Sequence, residues 1–583
     1  MKRKFMQIAA LCLCAVLLTA PGEGQSAYAV SSGTSSGKII RVGLHHDGPY
    51  GTGSVEGLNL ANETGAGFRL GYYDDSNRFV LLGSTSEEAV SVVKTTNVYY
   101  GTYNGYTSYH SALTASAVAV GDYHLQLPGT YSTYAQVQAA ASRYEGGFPA
   151  YIDRQFYVRI GNYTTQDKAV TAQAALRSQG VETEIKGTSA YGVSVVVTGT
   201  NTILFQFDDL GKDTGLGVEP NAAGGGAYTT WSKSVLYPGG FRFERINGGN
   251  MTVVNMVEFE DYVEGVVATE MSDSWPVEAL KAQAVAARSY AATLGSKHSA
   301  HHFDICNGTD CQAYTGKSRT GSNTRAAVEQ TAGQVCIYNG KVAQTSYYSS
   351  NGGASESSSV VWGSNQTAYP YLIGKVDPYE ATSGVNNNYT KTISSDELVA
   401  ALKKKGYNTV GNSIVSIAVV SLTDSGNPKQ VTFTDNNGKK FTLDSMYVVR
   451  DIVGLRSYRY GVESTGLSAP GVSVNGSAPV NANGLYAIDG NGNVVPISGD
   501  AYVLTGSGTV QLEQGGTGDG SAGGGIGSLG STTGNNGLFI FVGKGWGHNV
   551  GMSQWGAYAM AKQGYTYLDI LQFYYTDITV RLM

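Results

Sequence analysis

Apolar and polar positions alternate with a period of two through the first part of the chain. Ile39-Ile-Arg-Val-Gly-Leu44 and Arg78-Phe-Val-Leu-Leu82 are such runs, separated by clusters of Gly, Asn and Asp. Alternation bounded by turn-forming residues marks strands, so residues 39–120 predict a small β-rich unit. The pattern then doubles. Tyr123-His-Leu-Gln-Leu127, the turn Gly129-Thr-Tyr131 and a helical Tyr134–Tyr144 lead to Pro149-Ala-Tyr-Ile152. Phe156-Tyr-Val-Arg-Ile160, Gly161-Asn-Tyr163, a helical Gln166–Ser178 and Val181-Glu-Thr-Glu-Ile185 repeat that order about 32 residues later. Two strand–helix–strand halves predict a βαββαβ sheet with both helices on one face, assigned to residues 121–200.

From about 229 to 457 the period lengthens. Helical spacing covers Pro276–Thr293 and Ser395–Lys404, and Ile414–Leu422 reads as a strand. The fold class is therefore α+β and multidomain. Residues 461–537 interrupt the pattern, with room for a hairpin between Leu485 and Leu504. Eleven of the 23 residues from Gly515 to Gly537 are glycine, a composition that specifies no packed core. Leu538-Phe-Ile-Phe-Val542 then reads as a buried strand re-entering the domain, whose last part is residues 538–583.

At 583 residues the chain is too long for one core. A net charge of −6 leaves no reason to expect a nucleic-acid partner. Lys2, Arg3 and Lys4 precede an apolar run from Ile8 to Leu18, and Ala27-Tyr-Ala29 follows. That is the layout of a signal peptide over residues 1–29, and the run is shorter than a membrane span. The mature chain is expected to be secreted, or membrane-anchored if the segment stays. The abundance of Tyr (40 residues) alongside only 14% charged residues suits an extracytoplasmic protein handling sugars.

Three stretches offer chemistry. Glu270 ends the apolar Val266-Val-Ala268 run and stands shortly before the helix begun by Pro276, a place to hold a carboxyl partly away from water. Pro276 suits a first helical position, Glu278 the positive end of the helix dipole, and Val277, Leu280, Ala284, Ala287 and Ala291 form a packing stripe. In His301-His-Phe-Asp-Ile-Cys306-Asn-Gly-Thr-Asp-Cys311, the cysteines and imidazoles suit zinc, or the cysteines close a disulfide loop. Gly543-Lys-Gly-Trp-Gly-His548-Asn-Val-Gly-Met-Ser-Gln554 is either a loop brought close to a ligand or a tight turn into a helix around Ala557–Lys562. Tyr347-Tyr-Ser-Ser-Asn-Gly-Gly353 has similar loop character, and Ser349 lacks the frame of a nucleophile elbow.

The duplicated segment resembles the SPOR domain, a module that binds peptidoglycan glycan strands lacking stem peptides; a generic ferredoxin-like unit is the alternative. Val263-Glu-Gly-Val-Val-Ala-Thr-Glu-Met271, Glu278-Ala-Leu-Lys-Ala-Gln-Ala-Val-Ala-Ala-Arg-Ser-Tyr290, Cys311-Gln-Ala-Tyr-Thr-Gly316 and Gly545-Trp-Gly-His-Asn-Val-Gly-Met-Ser-Gln-Trp-Gly-Ala557 together resemble the SpoIID/LytB family of sporulation and cell-wall proteins. The resemblance implies a lytic transglycosylase with Glu270 as its single catalytic carboxyl. It implies Gln312, Tyr314, Arg288, Ser349, His548 and Gln554 as substrate-binding residues, and zinc on His302, Cys306 and Cys311. Its other branch implies a non-catalytic enhancer that binds glycan and stimulates a cell-wall amidase. This sequence departs from the family pattern in three places: Ser272 stands where proline is usual, Asn549 where glycine is usual, and the insertion before Leu538 is unusual.

Overall fold

The structure is a computed structural model that describes residues 37–62, 65–113, 118–222, 229–295, 297–463 and 537–583. It also describes the strands Tyr486–Ile488, Val494–Pro496, Ala501–Thr505, Gly508–Leu512 and Gly530–Thr533. The expected signal segment and most of the glycine run lie outside the described residues. The chain divides into two compact units. One comprises residues 1–258 with Ala300–Phe303, and the other Phe259–Ser299 with Asp304–Met583.

The first unit contains the duplicated element. β1 (Tyr123–Gln126), α1 (Tyr134–Ala141), β2 (Gly147–Ile152), β3 (Gln155–Tyr163), α2 (Gln166–Ser178) and β4 (Glu184–Lys186) follow the βαββαβ order read from the repeat. Their strands lie in the order β4-β1-β3-β2, all antiparallel. Thr133 and Thr165 cap the two helices through their side-chain oxygens, which satisfies backbone N–H groups otherwise lacking partners.

The four strands do not stand alone. Ile203–Asp208 pairs in parallel with β2 and carries the sheet on to ten strands. One of these, Ala89–Lys94, pairs with Val193–Val197. The boundaries drawn at 120 and 200 are thus crossed by strand pairing, because a ladder joins residues about a hundred positions apart and leaves no local trace. A second sheet places Ile39–His45, Thr252–Glu258, Gly240–Glu244, Leu216–Pro220, Phe68–Tyr73 and Phe79–Thr85 side by side. The strands from Thr229 to Glu258 consequently belong to this first unit.

The second unit is built on two helices. α3 (Phe259–Glu270) carries Glu260 and Asp261 in its first turn, where the helix dipole favours anions. α4 (Val277–Leu294) starts after Pro276, which occupies the N-cap. Ala279, Ala282, Ala284, Ala286 and Ala287 of α4 are all fully buried. Small side chains on several faces allow α3 and the helices Ser322–Gln330, Gln554–Lys562 and Tyr567–Tyr574 to pack against it.

Beside this helical part, Leu538–Lys544 runs between Asn388–Ser394 and Arg459–Glu463. It alternates inward and outward, with Phe539 and Phe541 buried, as expected of the re-entering strand. Because Glu463 is registered opposite Ile540, the insertion leaves and returns along neighbouring strands. Closing a long loop between ends already held together adds little entropy cost. Within the insertion, Tyr486–Ile488 pairs with Val494–Pro496 and Ala501–Thr505 with Gly508–Leu512, giving two hairpins rather than one. The helix Ser395–Lys404 matches its expected span and has a Ser394/Glu397 capping box. It packs with Met446–Val453 over the strands Ile414–Leu422 and Pro428–Asp435.

Candidate active site

Glu270 is the last residue of α3, and its carboxyl is half-buried. Burial raises its pKa, while hydrogen bonds from the Gln554 side chain and the Ala313 backbone N–H pull the other way. The negative end of a helix also disfavours an anion. The Gln554 amide donates to Oε2 at 2.9 Å. Desolvation outweighs these two neutral donors, so the carboxyl keeps its proton to higher pH than a free side chain.

The two glycine-bearing loops noted in the sequence meet at this site. Tyr347–Tyr348 pairs in parallel with Met552–Ser553, and Ser350 and Trp546 exchange backbone hydrogen bonds at 3.0 and 2.8 Å. A buried carboxylate, Glu380, knits them. It accepts from Ser350 Oγ (2.5 Å), the Asn351 N–H (2.8 Å), the Gly352 N–H (2.9 Å) and Ser553 Oγ (2.5 Å). Ser553 then caps the helix Gln554–Lys562, so the network sets Gln554 at the start of that helix, facing Glu270. Glu380 is a positioning residue that no local motif announced.

Asn549 has φ 56°, a left-handed conformation that glycine adopts freely and asparagine tolerates. Its side chain donates to the Asn351 and Ala354 carbonyls at 3.1 and 3.2 Å. The departure from the family glycine is thereby accommodated. Ser272 starts a turn in which the Trp275 N–H donates to its carbonyl at 3.0 Å.

The expected substrate residues divide. Gln554 touches Glu270 directly. Gln312 is buried, accepts from the Tyr262 hydroxyl at 2.9 Å and donates to the Ala287 carbonyl and the Tyr347 hydroxyl at 3.2 and 2.9 Å. Tyr314 is buried with its ring 5.1 Å from that of Tyr262. A Cβ at Gly265 would meet the Tyr314 ring at 2.6 Å, which explains the glycine inside α3. Gln312 and Tyr314 therefore fix the loop that presents the Ala313 N–H, instead of facing a ligand.

Arg288 is fully buried, donates to both oxygens of Glu260 at 2.9 and 2.7 Å and to the Gln334 carbonyl. With its guanidinium engaged inside the fold, it is unavailable to substrate. The Ser349 carbonyl accepts from the Trp555 N–H at 3.0 Å. His548 lies between the rings of Tyr348 and Trp362, each at 5.2 Å. Burial pulls its pKa down to about 4, against a hydrogen bond to the Tyr347 backbone, so the imidazole is neutral near pH 7.

Trp275, Trp555 and Tyr558 form a partly exposed aromatic cluster, with Trp275–Trp555 and Trp275–Tyr558 centroids 4.6 and 5.1 Å apart. Trp555 follows Gln554, and Trp275 stands just beyond the end of α3. These rings were not singled out from sequence; their spacing from Glu270 and Gln554 was the available signal.

His298, Cys306, Asp310 and Cys311 bring one ligand atom each within 4.8 Å of one another. His298 Nε2 lies 3.2 Å from Cys311 Sγ and 3.3 Å from Asp310 Oδ2. Cys306, Cys311 and Cys336 are free thiols. The proximity of Cys311 draws the Cys306 thiol down to about 6, and Cys311 is raised in turn. His302, the imidazole assigned by the resemblance, bonds Glu244 at 2.6 Å in the first unit. Helix α4 ends at Leu294, and His298 beyond it lies beside the thiols, outside the stretch from His301 read in the sequence. One imidazole, two thiols and a carboxylate fit the tetrahedral donor set of zinc.

A half-buried carboxyl on a helix end, held by two amide donors, has the make-up of an acid–base site. The Stage II sporulation protein family model matches residues 247–338, the span that holds Glu270 and both thiols. An uncharacterised protein of Brachyspira hyodysenteriae is 30% identical over 349 residues, covering 59% of this chain and 72% of that protein. The amidase enhancer of Bacillus subtilis is 32% identical over 54% of this chain, although the match spans only 40% of the enhancer. Stage II sporulation protein D of Bacillus subtilis is 28% identical over 56% of this chain and 75% of its own length. The chain belongs to the SpoIID family.

Proposed function

We propose that this protein is a peptidoglycan lytic transglycosylase that cleaves MurNAc–GlcNAc bonds in peptide-stripped glycan, working in sporulation or wall remodelling outside the cytoplasm. The observation that carries this reading is the single half-buried Glu270 with its raised pKa and neutral hydrogen-bond partners. Ordinary glycosidases flank the bond with two carboxylates. Here Glu380, a buried carboxylate that joins the two loops, is filled by four donors.

One carboxyl suffices when the attacking group is the sugar's own 6-hydroxyl. Glu270 donates its proton to the bridging oxygen as the C1–O bond breaks. The 6-hydroxyl oxygen then bonds C1 and its proton passes to Glu270, which restores the acid. The products are a 1,6-anhydro-muramyl end and a free 4-hydroxyl, and no water is consumed. The test is digestion of peptide-stripped glycan with the purified protein, followed by mass spectrometry. Anhydro ends formed without an added amidase support the enzyme. Their absence, with stimulation of an amidase, supports the rival reading that the similarity to the amidase enhancer raises. The βαββαβ unit serves in either case as a glycan-binding module.

The aromatic cluster supplies flat apolar faces on which sugar rings stack. Trp555→Ala is expected to raise KM about five- to tenfold with a smaller change in kcat; an unchanged KM removes the cluster from substrate binding.

Zinc fits His298, Cys306, Cys311 and Asp310. With four protein ligands it would supply structural closure rather than Lewis-acid chemistry. The clip would lie immediately before Gln312 and Ala313, the loop that donates to Glu270. Atomic absorption is expected to find one zinc per chain, lost in Cys306→Ser and His298→Ala and retained in His302→Ala. Loss of metal in His302→Ala alone would restore the assignment drawn from sequence.

A further inference from the structure

A cavity of about 670 Å³ opens between the helices Ser358–Trp362 and Met446–Val453 of the second unit. Two large aromatic residues stand on its wall. Trp362 is 46% exposed and Tyr447 53% exposed. Trp362 is the last residue of its helix, which Gly363 ends in the left-handed conformation at φ 65°, and the half-exposed indole lines the cavity with its ring also against His548. Val360 and Val361 add apolar surface to the lining, and Ser359, Ser445, Asp444 and Lys429 add polar groups. Gln430 donates to Asp444 at 2.7 Å and so fixes the carboxylate, while Lys429 is exposed. Two exposed aromatic side chains, apolar surface, a fixed acceptor and an exposed cation suit a sugar ring with hydroxyls and an acidic substituent.

The cavity is linked to the Glu270 site by contacts within the same unit. The Trp362 ring lies 5.2 Å from that of His548. His548 hydrogen-bonds the Tyr347 backbone, and the Tyr347 hydroxyl accepts from Gln312, the neighbour of the Ala313 donor to Glu270. A polymer cut at Glu270 has further sugar units to place, and this cavity offers a place for one.

We propose that the cavity is a second glycan subsite, which binds one N-acetylmuramic acid residue with its ring on Trp362 and Tyr447. Asp444 accepts a hydroxyl or amide proton of that sugar. Lys429 pairs with its free lactyl carboxylate, a charge that exists only where the stem peptide has been removed. The proposal rests on the reading of Glu270 as a glycan-cleaving residue, and extends it by naming what distinguishes stripped from peptide-bearing strands.

The test uses the full chain carrying Glu270→Gln, titrated calorimetrically with a GlcNAc–MurNAc tetrasaccharide bearing free lactyl groups and with chitotetraose, which has none. Trp362→Ala and Tyr447→Ala are each expected to weaken both ligands about five- to tenfold. Lys429→Met is expected to weaken only the lactyl-bearing ligand, by about two- to fivefold. Lys429 is exposed, so its variant tests the site without disturbing the core; melting curves check the aromatic variants. Affinities within twofold of the parent in all three variants overturn the subsite, as does a parent that binds neither saccharide. Anhydro-end formation by the chain with Glu270 intact is measured in parallel. Product formed with affinity indifferent to Trp362 overturns the subsite alone. Trp362-dependent affinity without product upholds the subsite and overturns the catalytic reading.

Discussion

Glutamine at position 270 is expected to lower the yield of 1,6-anhydro ends by about 10²- to 10⁴-fold, the range that a positioned acid–base group contributes. The amide keeps the shape of the carboxyl and an oxygen to accept from Gln554, so the loops that meet at the site stay in place. What it lacks is the proton for the bridging oxygen and the base for the 6-hydroxyl. Normal yield removes Glu270 from the chemistry.

The raised pKa of Glu270 gives this prediction a second measurement. A carboxyl whose folded pKa lies above its unfolded value favours folding in its protonated form. That contribution is fully present below about pH 4.5, the ordinary value, and is lost as pH rises through the folded pKa. Glu270→Gln should therefore melt higher than the parent near pH 7, with the difference shrinking as pH falls through the raised pKa towards about 4.5 and staying constant below it. A difference constant across that window means that Glu270 titrates as an ordinary surface carboxyl. Activity of the parent should fall as pH rises through the same raised pKa, since the acid must enter the reaction protonated.

Arg288→Ala is expected to destabilise the second unit by about 3 kcal/mol, the low end for breaking a buried pair, because the Glu260 side chain keeps some solvent access. The Glu260 carboxylate would keep only the Gly333 N–H, at 3.1 Å, among its present partners. The guanidinium also holds the Gln334 carbonyl, so the substitution loosens the contact between α3, α4 and the strand Gln334–Tyr338. Chemical denaturation measures it directly. A loss below about 1 kcal/mol would show that the pair contributes no more than a surface salt bridge. A rise in KM at temperatures well below melting would return Arg288 to the substrate.

Much of this protein is legible in one dimension. The duplicated strand–helix–strand pattern fixed the βαββαβ order, since each half repeats its own local periods. The span of the helix Ser395–Lys404 and the re-entry of Leu538 also followed from local spacing, capping residues and the bounding glycines. Glu270 was reached from an apolar run, a helix start and a motif around it.

Other features have no local signature. Gln312 and Tyr314 have the residue types of sugar-binding groups, but the fold turns them inward, where they hold the loop bearing the Ala313 N–H. His298 reaches the thiols while His302 turns to Glu244, a choice made by where α4 ends and which unit each imidazole joins. Glu380 looks like any loop glutamate until four donors close around it.

By itself, the sequence determined the strand and helix periods, the repeat, Glu270 as the candidate acid and the motif order that marks the family. The tertiary structure alone decided which of those residues are buried and which meet at Glu270. It brought Gln554 to Glu270 across nearly three hundred positions, withdrew Arg288 into an ion pair and exposed Trp362 beside a cavity. The reason is physical: periodicity reports which face of an element is buried, but a site is made where several elements meet, and long-range packing sets that meeting.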